Sequence, residues 1–360
     1  MQQPSKTVSI SELSDFCVAA LRLCGVSEPD ARTTAEVLVT TDTYGVYTHG
    51  VKALRGYVKR LRAGGLVADA VPRVEREGPA WAIVDGQSAL GMVTSVLAMN
   101  VAIQKAKTAG LAYVGVRNSS HFGAAGYYAN MAAKANMIGM AMANDYPSMA
   151  VLGARKAVLG TNPFAYAVPA GETDPIFLDI ASSTVAGGKV RIAHLKNQKV
   201  PEPWMVDTEG VPTTDPFLYP HAAFLLPFAG HKGYGLAMMI ESLAGVLTGT
   251  GAMYDLHNWV DHDPALHTNH GGAFLAFDIG AITPLEKFKK RVDQLIREIH
   301  ETPKAKGVER LYVPGEMEWE NRRKALTQGI PLPFDVLESL NGLAGDLKMK
   351  VDWLNVSSVN

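Results

Sequence analysis

Residues 81–144 decide the fold. They run WAIVDG (81–86), a small-residue helical stretch over 95–109, LAYVGV (111–116), a second helical stretch over 123–135, and MIGMAMAN (137–144). Short runs of β-type apolar residues alternating with segments of helical period predict strand, helix, strand, helix, strand, the pattern of an α/β sheet. Working toward the C-terminus, PFAYAVPAG (163–171), PIFLDIAS (175–182) and FLAFDI (274–279) add strands, and residues 232–247 predict one long apolar helix, so a mixed sheet is implied. Toward the N-terminus the chain reads as helices with explicit start signals. Ser9 and Glu12 form a capping box for a helix that Gly25 stops, and Ser27 with Asp30 forms a second box, with Pro29 in the first turn. Helices return at the other end: an amphipathic one over 284–300, a turn at VPGE (313–316), a helix over 316–329 and a last one from Pro333. Residues 1–75 and 295–360 are therefore expected to pack together as a discontinuous helical domain around a mixed α/β domain over 76–294.

Composition narrows the class. With 47% apolar and 19% charged residues in 360, the chain has the core material of a folded globule. Thirty-four basic residues against 35 acidic ones give a net charge of -1, without the basic footprint of a nucleic-acid binder. Cys17 and Cys24 sit in one helical segment and make no disulfide framework, which fits a reducing compartment. The start MQQPSKTVSISEL lacks a signal pattern and no apolar stretch approaches a membrane span, so a cytoplasmic protein without a membrane partner is expected.

The motifs of common enzymes are missing. G-x-G-x-x-G, which lets a pyrophosphate approach a helix N-terminus, is absent, as are the P-loop, G-x-S-x-G, H-E-x-x-H and C-x-x-C patterns. The run YDLHNWVDHDPALHTNH (254–270) holds His257, His262, His267 and His270 in a composition that would suit a metal, but the spacings fit no standard ligand set. Its Pro and Asn content predicts an exposed loop before a strand, and no metal is expected.

Polar groups gather instead at the ends of apolar runs, where α/β proteins build sites. Thr48-His49-Gly50 places a hydroxyl beside an imidazole; taken alone, His49 reads as a helix-end histidine. Ser119, Ser120 and His121 follow a strand and precede a helix start, a junction suited to proton transfer and anion binding. Thr161 and Asn162 sit in a turn between Gly160 and Pro163 that could equally be held by local hydrogen bonds. Asp179 ends an apolar strand, where a carboxylate either holds a ribose hydroxyl or caps the next helix. Lys232 in GHKGYG can bring an ammonium to a phosphate, or can simply face solvent at a helix start.

Together these segments resemble the malate/L-lactate dehydrogenase family, which lacks the ordinary Rossmann domain. The match runs in order through THGV (48–51), SSHFG (119–123), GTNPFAYAVP (160–169), LDIASS (178–183) followed by GGKV (187–190), VDTEGVPTTDP (206–216), GHKGYGLAMMIE (230–241) and YVPGE (312–316). The resemblance implies an α/β, non-Rossmann mixed-sheet cofactor domain with helical terminal segments, a homodimer, and hydride transfer between NAD, with NADP as the alternative, and a small 2-hydroxy or 2-oxo acid. It implies His121, or His49 with Thr48 beside it, as the group that exchanges a proton with the substrate oxygen; His121 is favoured. Asn144, Asp145, Asp179, Ile180 and Ala181 match cofactor-contacting positions, with Lys232 and Gly233 near phosphate and Pro314, Gly315 and Glu316 closing on the cofactor. Thr161 matches a substrate contact.

The departures bear on specificity. Where the family commonly has Ser, Arg, a small hydroxyl residue and Arg, this chain has Thr48, Ala53, Asp145 and Gly187. The missing arginine is the one that clamps a substrate carboxylate, leaving Lys52 or Arg55 to replace it. A malate-like dicarboxylate ranks first as substrate, then ureidoglycolate, then lactate or a sugar acid. The rival reading is a catalytically inactive cofactor-binding protein on the same scaffold.

Overall fold

The computed structural model describes residues 5–354. An N-terminal strand, β1 (Lys6–Val8), leads into helix α1 (Ile10–Arg22), whose capping box is formed as the sequence requires: Ser9 Oγ accepts from the Glu12 N–H at 3.1 Å, and Glu12 returns the bond to the Ser9 N–H at 3.3 Å. Helix α2 (Glu28–Thr43) starts on Ser27, with Pro29 in its first turn, and α3 (Leu54–Ala63) follows a tight turn. Strands β2 (Arg73–Gly78) and β3 (Trp81–Asp85) form a hairpin. Helix α4 (Gly91–Ala109), β4 (Leu111–Ser119), α5 (Ala125–Lys134) and β5 (Met137–Ala143) then complete the alternation read from residues 81–144.

Beyond β5 the chain builds a second, smaller sheet that its pattern does not announce. Strands β6 (Met149–Ala150) and β7 (Ala157–Leu159) belong to it. Strands β8 (Phe164–Val168) and β9 (Ile176–Ile180) return to the main sheet. After α6 (Gly187–Leu195), β10 (Met205–Asp207), β11 (Pro212–Thr213) and β12 (Ala223–Leu225) close the small sheet in the order β11-β10-β12-β6-β7. Strands of two or three residues are too short to show a period, which is why sequence reading passes over them.

The expected 232–247 helix is divided. Helix α7 (His231–Ile240) widens into one turn with i→i+5 bonding (Glu241–Gly245), then tightens over Val246–Thr248. The cause is local. The buried Glu241 carboxylate accepts from Asn162 Nδ2 at 2.8 Å and the Met253 N–H at 3.1 Å, while Asn144 Nδ2 occupies space a Cβ at Gly245 would need. Such a bulge re-aims a helix around a polar group.

Strand β13 (His270–Asp278) then inserts between β4 and β5, antiparallel to both, giving a seven-stranded mixed sheet of order β2-β3-β4-β13-β5-β8-β9 in which β3 and β4 are parallel. A short helix α8 (Ile279–Ile282) and the amphipathic α9 (Leu285–Glu301) follow; α9 buries Val292 and Ile296 with Ile176 and Val313. Helix α10 (Glu316–Gln328), strand β14 (Ile330–Leu332) and α11 (Phe334–Leu347) finish the fold, and β14 pairs antiparallel with β1. The two helical ends thus meet, but they share one apolar cluster with α4, α5 and the sheet, where Leu13, Leu38, Leu54, Met99, Val114, Tyr128, Phe274 and Leu340 are all fully buried. Helix α9, which the sequence boundary at 295 would cut, lies whole against the β8–β9 edge.

Candidate active site

One cleft of about 940 Å³ opens where α5, β5, β9, α6, the α2–α3 turn and the loop before β13 converge. The α2–α3 turn carries Thr48 and His49. It is pinned from beneath by Asp42, whose buried carboxyl accepts the Val51 N–H at 3.0 Å and occupies the position of a Cβ at Gly50, 1.8 Å from Oδ1. Burial pushes the Asp42 carboxyl well up, with the Val51 N–H opposing. Residue 50 is glycine because the turn is folded over this carboxyl.

The two candidate histidines come together. Their rings stack with centroids 5.8 Å apart at 29°. His49 Nδ1 lies 2.9 Å from Thr48 Oγ1, and His121 Nδ1 lies 2.6 Å from the hydroxyl of Tyr57 on α3. Burial holds both imidazoles below their usual range. For His121 the neighbouring His49 and His270 push it further down, whereas for His49 the Asp145 carboxylate opposes burial. Both rings are therefore neutral near pH 7, each with Nδ1 engaged and Nε2 free of protein hydrogen bonds among the described residues.

The 254–270 run is for the most part the exposed loop before a strand that its composition predicts, with Val260, Asp261, Asp263 and His267 in solvent, but Trp259 and His270 turn into the cleft. Trp259 lies over His121 with centroids 4.1 Å apart at 17°, and His270 begins β13, where it is 3% exposed and bonded through Nε2 to Asp145 Oδ1 at 3.2 Å. No local signal marks either residue, since each is brought in by long-range pairing. Tyr57, hidden in an amphipathic helix, was missed for the same reason.

Most of the remaining candidates line the same cleft. Thr161, Asn144, Asp145, Asp179, Ile180, Ala181, Pro314 and Gly315 all face it, as does Lys52. Asn144 does so with its side chain already committed: it donates to the Gly251 carbonyl at 2.8 Å and accepts the Gly271 N–H at 2.8 Å. Asp179 accepts the Gly126 N–H at 2.7 Å at the start of α5, capping from a distant strand a helix whose own N-cap residue, Ala124, offers no side-chain acceptor. Burial among protein atoms raises the Asp179 carboxyl to about 6, with Glu318 adding to the rise and the Gly126 N–H opposing it. Gly315, at φ +93°, brings its loop within 2.9 Å of the Phe177 backbone measured from a would-be Cβ, a contact no larger residue could make.

Four candidates stand elsewhere. Arg55 pairs with Asp346 at 2.8 Å in an adjoining cavity of about 590 Å³ that shares Lys52, Ala53, Trp259 and Val260 with the cleft. Lys232 is exposed on the first turn of α7, and Gly233 packs against the Phe228 and Ser182 backbones. Glu316 turns away to accept the Val313 N–H at 2.9 Å and pair with His300 and Arg310; these partners hold its carboxyl below the usual range against the opposing effect of burial. It braces the Pro314–Gly315 loop and does not line the cleft.

The departures have a physical setting. Ala53 leaves the cleft wall apolar beside Lys52, whose ammonium is 2.6 Å from Asp335. A side chain at Gly187 would meet the Tyr219 hydroxyl at 2.3 Å, so that phenol fills the space.

Residues 8–341 match the malate/L-lactate dehydrogenase family. The chain belongs to that family. The malate dehydrogenase of Pyrococcus horikoshii is 39% identical over 340 residues, covering 92% of this chain and 93% of the relative. The NAD(+) ureidoglycolate dehydrogenase of Escherichia coli K12 is 37% identical, covering 89% and 91%. The solved structure of the P. horikoshii malate dehydrogenase superposes with a TM-score of 0.87 at 35% identity, over 97% of this chain and 99% of that one. That likeness spans the mixed sheet described above, in which β13 is inserted among strands that precede it in sequence.

Proposed function

We propose that this cleft is the active site of an oxidoreductase that interconverts a small 2-hydroxy acid and its 2-oxo acid with NAD. The observation that carries the reading is the stacked pair His49 and His121, two neutral imidazoles with Nδ1 held by a hydroxyl and Nε2 left for substrate.

The cleft fits a nicotinamide cofactor. The chain entering α5 is built of Gly123, Ala124, Ala125 and Gly126, and faces Ile180, Ala181, Pro314 and Gly315 across the opening. Small residues at a helix start leave room for a pyrophosphate, although Asp179 already holds the Gly126 N–H there. When bound, the nicotinamide supplies the acceptor or donor of hydride. Asp179 and Glu318 line the same region, so a cofactor carrying an extra phosphate is disfavoured and NAD is proposed over NADP.

His121 takes the proton of the substrate hydroxyl on Nε2 as the alcohol is oxidised and returns it in reduction, while Tyr57 holds Nδ1 and fixes the ring. His49 is second in line. The 2-carboxylate goes to Lys52, which lines the cleft one residue from Ala53. A malate-like dicarboxylate is the first choice, its second carboxylate reaching Arg191 or Lys189 on α6. Asp145 supports a second reading: Oδ2 has only a 3.5 Å contact from Thr161, so a substrate with N–H donors at its far end, such as ureidoglycolate, would find an acceptor there. A homodimer remains part of the proposal, with exposed Met238, Met239, Val246 and Leu247 forming an apolar surface on the α7 segment.

The test is a 340 nm assay supplying NADH or NADPH with oxaloacetate, pyruvate, sulfopyruvate and sugar keto acids, and NAD with their alcohols and ureidoglycolate. Turnover of one acid supports the reading. Silence across the panel with cofactor bound would favour a non-catalytic protein on this scaffold.

A further inference from the structure

Arg60 is 2% exposed, yet among the described residues no carboxylate bonds it. Its guanidinium instead donates to three carbonyls of the loop before β13: Nε to Trp259 O at 2.7 Å, Nη2 to Asn258 O at 2.8 Å and Nη1 to Leu266 O at 2.9 Å. A buried cation needs such partners, and a planar fork can serve three fixed acceptors where an ammonium could not hold the same geometry. The loop it fastens is the one that delivers the indole of Trp259, which stacks on His121 at 4.1 Å and on Tyr57 at 5.5 Å, with Tyr57 and His121 themselves 5.9 Å apart and nearly parallel.

We propose that Trp259 is a positioning residue for His121 and that Arg60 is the strut that keeps it in place. The indole covers one face of the imidazole while the Tyr57 hydroxyl engages Nδ1 at its edge, so the ring can neither flip nor swing out of the cleft while Nε2 meets substrate. The indole face also stabilises the ring when it carries a proton, because an aromatic face attracts a cation stacked on it. The inference rests on His121 being the proton-exchanging group. Neither Arg60 nor Trp259 touches the reacting atoms in this account; both act through His121.

The test compares Trp259→Phe, Trp259→Leu, Arg60→Lys and Arg60→Met in the full-length protein, each checked for fold by circular dichroism. Trp259→Leu should lower kcat by about ten- to a hundredfold with the KM for NADH unchanged, and Trp259→Phe, which keeps a flat ring, should recover most of the loss. Arg60→Met and Arg60→Lys should reproduce the Trp259→Leu effect, and the Arg60→Met/Trp259→Leu double variant should be no worse than either alone, since both remove one contact. The second readout is an NMR titration of the ¹⁵N-labelled His121 ring in the free protein, which needs no turnover. Trp259→Leu should move the His121 titration and Trp259→Phe should not. An unchanged titration and unchanged kcat in Trp259→Leu would overturn the proposal. If the wild-type protein turns over no substrate, the function fails while the titration still decides the positioning.

Discussion

His49 and His121 lie in stacked contact, 5.8 Å between centroids, and after burial it is His49 that most lowers the tendency of His121 to protonate. Only one proton is comfortable in the pair, so the two rings have separable roles. His121→Ala is expected to reduce kcat by about 10² to 10⁴ fold, and His49→Ala by a smaller factor. Steady-state turnover of both variants at saturating cofactor decides the order, and the reverse ranking would transfer the proton to His49.

The direction of the histidine shifts fixes a pH dependence. A base is active when neutral, and burial together with His49 and His270 holds His121 below 6.5, so kcat/KM for hydroxy acid oxidation should stay level from pH 8 down through 6.5 and fall only below it. Stability follows the same sign: the folded state resists protonating these rings, so their contribution is present above about 6.5 and is lost as the pH falls through the lower folded value. A pH–rate profile with an acid limb above 7 would contradict the assignment.

Lys52 lines the cleft and Arg55 does not, although both border the smaller cavity beside it. Lys52→Met should raise the KM for the 2-oxo acid by about tenfold or more, since it removes the cation beside Ala53, whereas Arg55→Met should leave KM within about twofold because Arg55 is paired with Asp346 outside the cleft. Equal effects from the two variants would show that the carboxylate is bound elsewhere.

The Asp179 carboxyl, raised to about 6, predicts a cofactor preference that changes with pH. Above pH 6 it is an anion and should disfavour NADPH relative to NADH; below it the discrimination should shrink, and Asp179→Asn should remove the pH dependence. Fluorescence titration of both reduced cofactors at pH 5.5 and 8 measures this.

The Asp42–Gly50 contact predicts a folding defect. Gly50→Ala places a Cβ 1.8 Å from Asp42 Oδ1 in a buried turn, and a loss of about 3 kcal/mol or more in unfolding free energy is expected, read by chemical denaturation. A change under about 0.5 kcal/mol would mean that the turn can open without cost.

What the sequence determined alone is local. The capping box at Ser9, the alternation over 81–144 and the amphipathic α9 depend on residues within a turn or two, and each forms as its pattern requires. At Ser27 the side chain caps the Asp30 N–H, but Asp30 accepts from the Ser27 hydroxyl instead of its N–H, so the expected second box is only half made. The ordered motifs also place most of the cleft-lining residues, because a chain that preserves them preserves the strand ends that carry them. The tertiary structure decided the rest. Strand β13 enters between β4 and β5, and only that insertion brings His270 to Asp145 across 125 positions. Trp259 reaches His121 because buried Arg60 fastens a loop that by composition belongs in solvent. Lys232 and Glu316, in motifs as legible as any, turn outward because helix direction and ion-pair partners set where a side chain points. Periodicity fixes which face of an element is buried, but which distant group meets it depends on the packing of the whole chain.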